Sequence, residues 1–315
     1  MRESADGSGS PIGPAAGTTS GAIQPTDHRY TRELDAGEVI SQTFALYSRN
    51  FSKYLVTFLL VEAVVGVLDT LLRAAIVVPT LPTELTPEET LILLPAYLEP
   101  LLLLLVLTGI VSWIIGSWGT VAAISLTSEE LRGGRADVRE GLRFGASKLP
   151  AAWAISLLYG VIVFFGALAL YVPGIILGIM FSLALPAIMT ENSGVLDSFG
   201  RSRELVGHRW LKTFAIFLLF GVIFFPATLI VNLVGGLAGA VSYLVVSLLS
   251  AFYAPLMPIL LTVYYYSNVA RLAPPQAPYA QPSGFRFCPS CGEPIAEPDQ
   301  SFCRKCGNDL RPRQG

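Results

Sequence analysis

Charged residues are scarce in this sequence. Only 14% of its 315 residues are Asp, Glu, Lys or Arg, whereas 52% are hydrophobic. Ordinary soluble domains are roughly one-quarter charged, so the composition excludes a water-soluble globule. The two histidines, His28 and His208, have no nearby Ser or Cys nucleophile with a supporting acid, and no Gly-rich phosphate-binding loop is present. We therefore expect a protein that is not an enzyme.

Cysteine is absent before residue 288, which excludes disulfides from most of the chain. This cysteine-free part contains long hydrophobic runs, at about residues 54–79, 97–126, 151–172, 174–190, 211–234 and 242–268. A helix needs roughly 20 residues, at about 1.5 Å each, to cross the hydrocarbon layer. The runs predict an all-α polytopic membrane protein with about six spans. Prolines inside the later runs predict kinks, at Pro186, Pro226, Pro255 and Pro258.

Basic residues are distributed unequally between the two sides of the predicted bundle. Twenty of the 21 Lys and Arg residues lie before or at the start of the first, third or fifth run or after the sixth, and Arg73 is the exception. The positive-inside rule then places both termini in the cytoplasm. We expect a multi-pass protein of the cell membrane, in contact with the lipid bilayer.

A short amphipathic segment precedes the first, third and fifth runs. In each case an aromatic residue follows fifteen positions after a leading valine, and the pairs are Val39 and Tyr54, Val138 and Trp153, and Val195 and Trp210. The aromatic residue is expected at the headgroup level. The pattern predicts three parallel repeats, each an interfacial helix followed by a helical hairpin. Amphipathic linkers with aromatic borders in any multispan protein are the alternative.

Changes in composition divide the chain into four parts. Residues 1–30 are rich in Gly, Ser, Thr and Pro and predict a disordered tail, and residues 31–272 form the transmembrane domain. Residues 273–285 are a Pro-rich linker, and residues 286–311 contain all four cysteines.

The cysteines form two C-x-x-C pairs, each followed by glycine, at Cys288, Cys291, Cys303 and Cys306. Four thiolates at this spacing predict a zinc ribbon with one structural Zn²⁺, since no coordination position stays open for substrate. A dithiol redox pair, a disulfide-bonded knot and an iron–sulfur cluster are alternatives, although a cytoplasmic location disfavours disulfides. The charges around the ribbon nearly balance, which argues against nucleic acid and favours a cytoplasmic protein partner.

Three ionisable residues, Glu62, Asp69 and Arg73, lie in the first predicted span. Spacings of seven and four place them on one helical face, and Asp69 and Arg73 can pair. Such residues face the bundle interior, because a charge at the bilayer centre costs about 2.5–3.5 kcal/mol. The face is interpreted as a structural polar cluster, with an ion, proton or headgroup pathway as the alternative.

Two stretches carry a resemblance to a known family. They are Leu34–Ile40 with Thr43–Tyr47, and Val172–Ile175 with Leu185–Ile188, Ser198–Val206 and Arg209–Trp210. Together they resemble the membrane domain associated with glycerophosphoryl diester phosphodiesterases and its stand-alone prokaryotic relatives, some of which end in a zinc ribbon. The family's hydrolytic activity belongs to a soluble barrel of about 250 residues, so the resemblance implies the membrane fold alone.

These observations lead to one functional expectation and two alternatives. We expect a non-enzymatic membrane protein, a scaffold or accessory subunit whose zinc ribbon docks a cytoplasmic protein. The first alternative is a transporter or channel-like protein for a small or lipid-like solute, which would use the face of Glu62, Asp69 and Arg73. The second is a membrane enzyme acting on lipid phosphodiesters.

Overall fold

A computed structural model describes residues 32–79, 87–191, 193–272, 286–287, 291, 294–295 and 302–307. The predicted tail 1–30, the linker 273–285 and Cys288 lie outside the described residues. Contacts divide the chain into two units, residues 1–271 and 272–315. Each unit is described separately below.

The first unit is helical. Its described ranges contain α1 (Ala36–Arg49), α2 (Phe51–Ala75), α3 (Pro87–Leu131), α4 (Val138–Ala169), α5 (Tyr171–Met180), α6 (Ala184–Glu191), α7 (Val195–Val206), α8 (Trp210–Gly236), α9 (Ser242–Ser250) and α10 (Leu256–Leu272). Five stretches are long and apolar enough to cross a membrane: α2, residues 93–131 of α3, α4, α5 together with α6, and α8. The predicted class, an all-α polytopic membrane protein, is confirmed.

The sixth predicted span is divided rather than kinked. Its residues form α9 and α10, separated by a turn at residues 251–255, and a similar turn at 181–183 separates α5 from α6. Proline lacks an N–H and so leaves the carbonyl four residues earlier without its helical donor. Pro186 and Pro255 remove the donors for Ser182 and Ala251, which lie in these two turns. By contrast, α8 continues through Pro226.

Capping side chains explain where two helices begin. The Asp35 carboxylate caps α1, and its own N–H donates to Glu38 Oε2 at 2.8 Å, which completes a capping box. The Asp137 carboxylate accepts a hydrogen bond from the Arg139 N–H at 2.8 Å and caps α4. The first and second predicted amphipathic segments thus each begin at an aspartate side chain that accepts a hydrogen bond from a free backbone N–H.

Two junctions differ from the sequence prediction. The second interfacial segment and the span that follows it form one continuous helix, α4, which contains Trp153. The runs 151–172 and 174–190 place the junction of the third and fourth spans at Pro173, but the helices are separated at Leu170, the single residue between α4 and α5. Pro173 is tolerated in the first turn of α5, where its missing N–H needs no helical partner.

The three interfacial segments each contact the second span of another repeat. The start of α4 packs on α3, where Trp118 Nε1 donates to the Leu142 carbonyl at 2.8 Å. Ser202 of α7 bridges the α5–α6 turn. Tyr47 of α1 donates to the Phe252 carbonyl in the α9–α10 turn. The contacts close a ring, because the first repeat is joined to the third.

Helix α10 lies at the centre of the first unit. Eleven of its seventeen residues are buried, a pattern typical of a helix surrounded by protein on all sides. Three consecutive tyrosines point in different directions, since successive helical residues are about 100° apart. Tyr264 hydrogen-bonds Thr213 of α8 at 2.7 Å, and Tyr265 donates to Glu191 of α6 at 2.5 Å. Tyr266 lies beside Ser128 of α3, so the tyrosines contact all three repeats.

Candidate metal centre and intramembrane polar face

The second unit brings three of the four predicted cysteine ligands together. Strands β1 (Arg286–Phe287) and β2 (Pro294–Ile295) pair antiparallel on either side of the first C-x-x-C pair. Residues 304–306 form a turn, and Gly307 follows in the left-handed region with φ 73°. Glycine adopts this conformation without a steric penalty, so its N–H can turn back and donate to the Cys303 carbonyl at 2.8 Å.

The sulfur atoms of Cys291, Cys303 and Cys306 all lie within 4.8 Å of one another. The Cys291 and Cys303 Sγ atoms are 3.5 Å apart, which is too far for a disulfide bond. Two thiolates on a tetrahedral zinc, at about 2.3 Å each, would be about 3.8 Å apart. The three residues can therefore hold a metal ion with small adjustments of their side chains.

Backbone donors favour the ligand form of Cys303. Hydrogen bonds from the N–H groups of Cys306 and Lys305 lower the pKa of the Cys303 thiol to about 6. The thiolate, which binds metals, is thus the main form at neutral pH. Cys288, the fourth predicted ligand, lies outside the described residues, and its part in the site stays a prediction.

The predicted polar face of α2 packs against α9. The Glu62 carboxyl group is within hydrogen-bonding reach of the hydroxyls of Ser247 and Ser250. One turn further along, Gly66 lets the helices approach closely, since a Cβ there would lie 2.8 Å from Ser247 Cβ. The partner of this face is thus the shorter piece of the divided sixth span.

Asp69 and Arg73 share the face but do not form the expected ion pair. No Asp69–Arg73 contact within 4.0 Å occurs among the ion pairs of the described residues. The Arg73 guanidinium carbon instead lies 3.4 Å from the centre of the Tyr243 ring, a cation–π contact. Asp69 Oδ1 is buried without a hydrogen-bond partner in the described part of the chain.

Sequence reasoning missed a charged cluster around Glu33. This carboxylate contacts Lys212 at 2.5 Å, Arg209 at 3.3 Å and Arg271 at 3.9 Å. In the sequence these basic residues indicate only the topology. In the structure they connect the segment before α1 to α8 and α10. The cluster could not be predicted from the sequence, because Glu33 and Lys212 are 179 residues apart.

A buried or half-buried threonine in the second span of each repeat was also missed. Thr190 and Thr262 each donate to the carbonyl of a proline four residues earlier, at 2.8 and 2.7 Å. Thr127 donates in the same way to Ala123 at 2.7 Å. These threonines lie on α6, α10 and α3, in the second span of each repeat. Other helical threonines make the same bond, for example Thr43 to Val39 and Thr213 to Arg209, so this spacing alone does not identify the repeat.

The fold and the cysteine cluster together define a class: an integral membrane protein with a second unit that can hold a metal ion. No protein-family model, no curated protein and no solved structure matches the chain significantly. The resemblance to the phosphodiesterase-associated membrane domain therefore stays a prediction from its motifs.

Proposed function

We propose that the protein is a non-enzymatic scaffold or accessory subunit of the cell membrane, whose zinc ribbon docks a cytoplasmic protein. The observation that carries this proposal is the convergence of the Cys291, Cys303 and Cys306 sulfurs within 4.8 Å. With Cys288 as the fourth ligand, the site binds one Zn²⁺ and has no open coordination position. Its role is then structural, and it holds a surface for a partner.

Contacts in the first unit support a structural role for several of its carboxylates. Glu191 accepts from Tyr265 and is paired with Arg201 at 2.9 Å. Glu33 is held by three basic side chains. Carboxylates tied in this way stabilise helix contacts rather than supply a general acid or base.

Metal analysis combined with cross-linking tests this proposal. Purified protein should contain zinc at a ratio near one per chain, falling to zero in the Cys303→Ala/Cys306→Ala variant. In native membranes, partners cross-linked to wild type should be recovered at least tenfold less with that variant. Glu62→Gln, which leaves the ribbon unchanged, is the matched control and should recover the same partners. Iron instead of zinc, or identical partners with and without the two cysteines, would overturn the proposal.

A second candidate is a transporter or channel-like protein for a small or lipid-like solute, coupled to protons or cations. The observation that favours it is the position of Glu62 beside Ser250, the last residue of α9. A helix C-terminus carries a partial negative charge, so a carboxylate there is stabilised by a proton or a cation. Divided helices whose C-terminal ends meet coupling ions are typical of secondary transporters.

Flux measurements distinguish the two candidates. In proteoliposomes, a coupled transporter should lose its pH-dependent or ion-dependent flux in Glu62→Gln while folding normally. The exposed Glu99 provides the control, since Glu99→Gln removes a carboxylate away from the polar face. Absence of any such flux in wild type would remove the transporter candidate and leave the scaffold proposal standing.

A further inference from the structure

A cavity of about 640 Å³ lies between the second and third repeats. Its walls are formed by α4, α5, α8 and α10, and the α5–α6 turn lies at one end. Side chains that define it include Tyr159, Val163, Gly178, Phe214, Phe217 and Leu261. Because α4, α5 and α8 belong to stretches long and apolar enough to cross a membrane, we place the cavity at the depth of the hydrocarbon layer.

The corresponding seams between the other repeats are tightly packed. At the seam of the first and third repeats, a Cβ on Gly66 would lie 2.8 Å from Ser247 Cβ. At the seam of the first and second, a Cβ on Gly145 would lie 2.8 Å from Trp118 Cδ1. The seam of the second and third repeats instead contains the cavity, whose lining comes from α4 and α5 on one side and from α8 and α10 on the other. Part of this seam is therefore open, although Ser202 and Tyr265 join the two repeats elsewhere.

Three of the four hydroxyl groups on the cavity wall already donate to backbone carbonyls, and the fourth belongs to Tyr171, which is 80% exposed. Tyr159 donates to the Gly178 carbonyl at 3.0 Å, Ser156 to the Ala152 carbonyl at 2.7 Å and Ser182 to the Ile179 carbonyl at 2.8 Å. No charged residue is among the described residues that line the cavity. An occupant with polar groups would bury them without partners, at a cost of about 1–3 kcal/mol each. The cavity wall therefore favours an occupant that is a hydrocarbon chain.

The length and width of the cavity fit one hydrocarbon chain. On α4 the lining extends from Ile155 to Ala167, about 18 Å at 1.5 Å per residue. One leaflet of the hydrocarbon layer is about 15 Å thick. A volume of 640 Å³ over that length gives a passage about 7 Å across. That is too narrow for a helix of about 10–12 Å, but it admits a polymethylene chain whose carbons pack at about 3.5–4.0 Å.

We propose that this cavity, the second–third repeat groove, binds one acyl chain of a bilayer phospholipid and uses it to fill the seam. The lipid then completes the packing that side chains provide at the other two seams. The proposal concerns the membrane unit alone and does not depend on the function of the metal centre.

Photo-cross-linking of the full chain tests the groove. The protein is reconstituted in phosphatidylethanolamine vesicles that contain a phosphatidylcholine with a diazirine midway along one acyl chain. After irradiation, labelled residues are mapped by mass spectrometry. Label should concentrate on groove residues such as Phe214 and Phe217, and Val163→Trp should reduce it there at least fivefold. Leu168→Trp is the matched control, because Leu168 is on the same helix, 70% exposed and outside the groove lining.

A second variant guards against misfolding of the first. Gly178→Leu projects into the same space from α5 and should give the same loss, and thermal unfolding checks that both variants are folded. Labelling of groove residues that is unchanged in both folded variants would overturn the proposal. So would label spread evenly over the lipid-facing surface, or protection of the groove by a cross-linked second copy or partner helix.

Discussion

The Ser202 hydroxyl connects two backbone groups at the break in the fourth span. It accepts from the Leu183 N–H at 3.1 Å and donates to the Met180 carbonyl at 2.8 Å. Ser202 and Leu183 are both fully buried. Ser202→Ala removes both bonds and leaves the Leu183 N–H without a partner in a region that excludes water. A net hydrogen bond of about 0.5–1.5 kcal/mol and an unsatisfied donor of about 1–3 kcal/mol give an expected destabilisation of about 2–4 kcal/mol.

The assay is equilibrium unfolding in mixed micelles at increasing dodecyl sulfate, followed by tryptophan fluorescence and circular dichroism. Ser48→Ala is the matched control, because it removes the same atom from another interfacial helix. The Ser48 hydroxyl is exposed and donates only to the Ala45 carbonyl within α1, so its loss should change the unfolding free energy by less than about 0.5 kcal/mol. Equal changes in unfolding free energy for the two substitutions would refute the view that contacts from interfacial helices stabilise the turns within the divided spans.

Three further predictions concern charge. The Arg32 side chain, followed by the Asp35 N–H, lowers the pKa of Glu38 from 4.5 to about 2. This capping contact should stabilise the start of α1 above about pH 4.5 and be lost as the pH falls toward 2. Amide exchange at the start of α1 should show this loss, and Glu38→Gln should abolish the pH dependence. Arg73→Ala should destabilise by about 1–2 kcal/mol through its lost contact with the Tyr243 ring. Asp69→Asn should cost under about 1 kcal/mol in the same unfolding assay, because it breaks no ion pair with Arg73 and removes a charge that is costly in the membrane; the reverse order would contradict this. In intact cells, an impermeant maleimide should label Glu88→Cys but not Arg139→Cys, and the opposite result would invert the topology.

Hydrophobic runs and cysteine spacing predicted the parts of the structure that depend on local sequence. A span must be long and apolar wherever it lies in a bundle, so five membrane-length helices could be recognised without knowledge of their partners. The C-x-x-C pairs bring sulfurs together through short-range geometry, and Cys303 and Cys306 adopt it in one turn. Neither inference required a contact between distant residues.

The central position of α10 could not be predicted in this way. Lipid-facing and protein-facing residues are both apolar in a membrane, so hydropathy does not distinguish a peripheral span from a central one. Tyr264, Tyr265 and Tyr266 are each 1% exposed, but their partners lie on three other helices. The missing Asp69–Arg73 pair has a similar cause, because the helical spacing that permits the pair says nothing about the ring of Tyr243 on α9.

The ring of repeats has a consequence for biosynthesis. The Leu34 N–H donates to Ser267 Oγ, a residue 233 positions later in the chain. At about 5–20 residues per second of translation, the N-terminal segment waits about 10–50 s for this partner. During that interval the Leu34 N–H and the Tyr47 hydroxyl lack the acceptors that the last predicted span provides. These two contacts between the first and third repeats therefore form only after the last span has been synthesised, and a chain that stops before α10 has no Ser267 hydroxyl to accept from the Leu34 N–H.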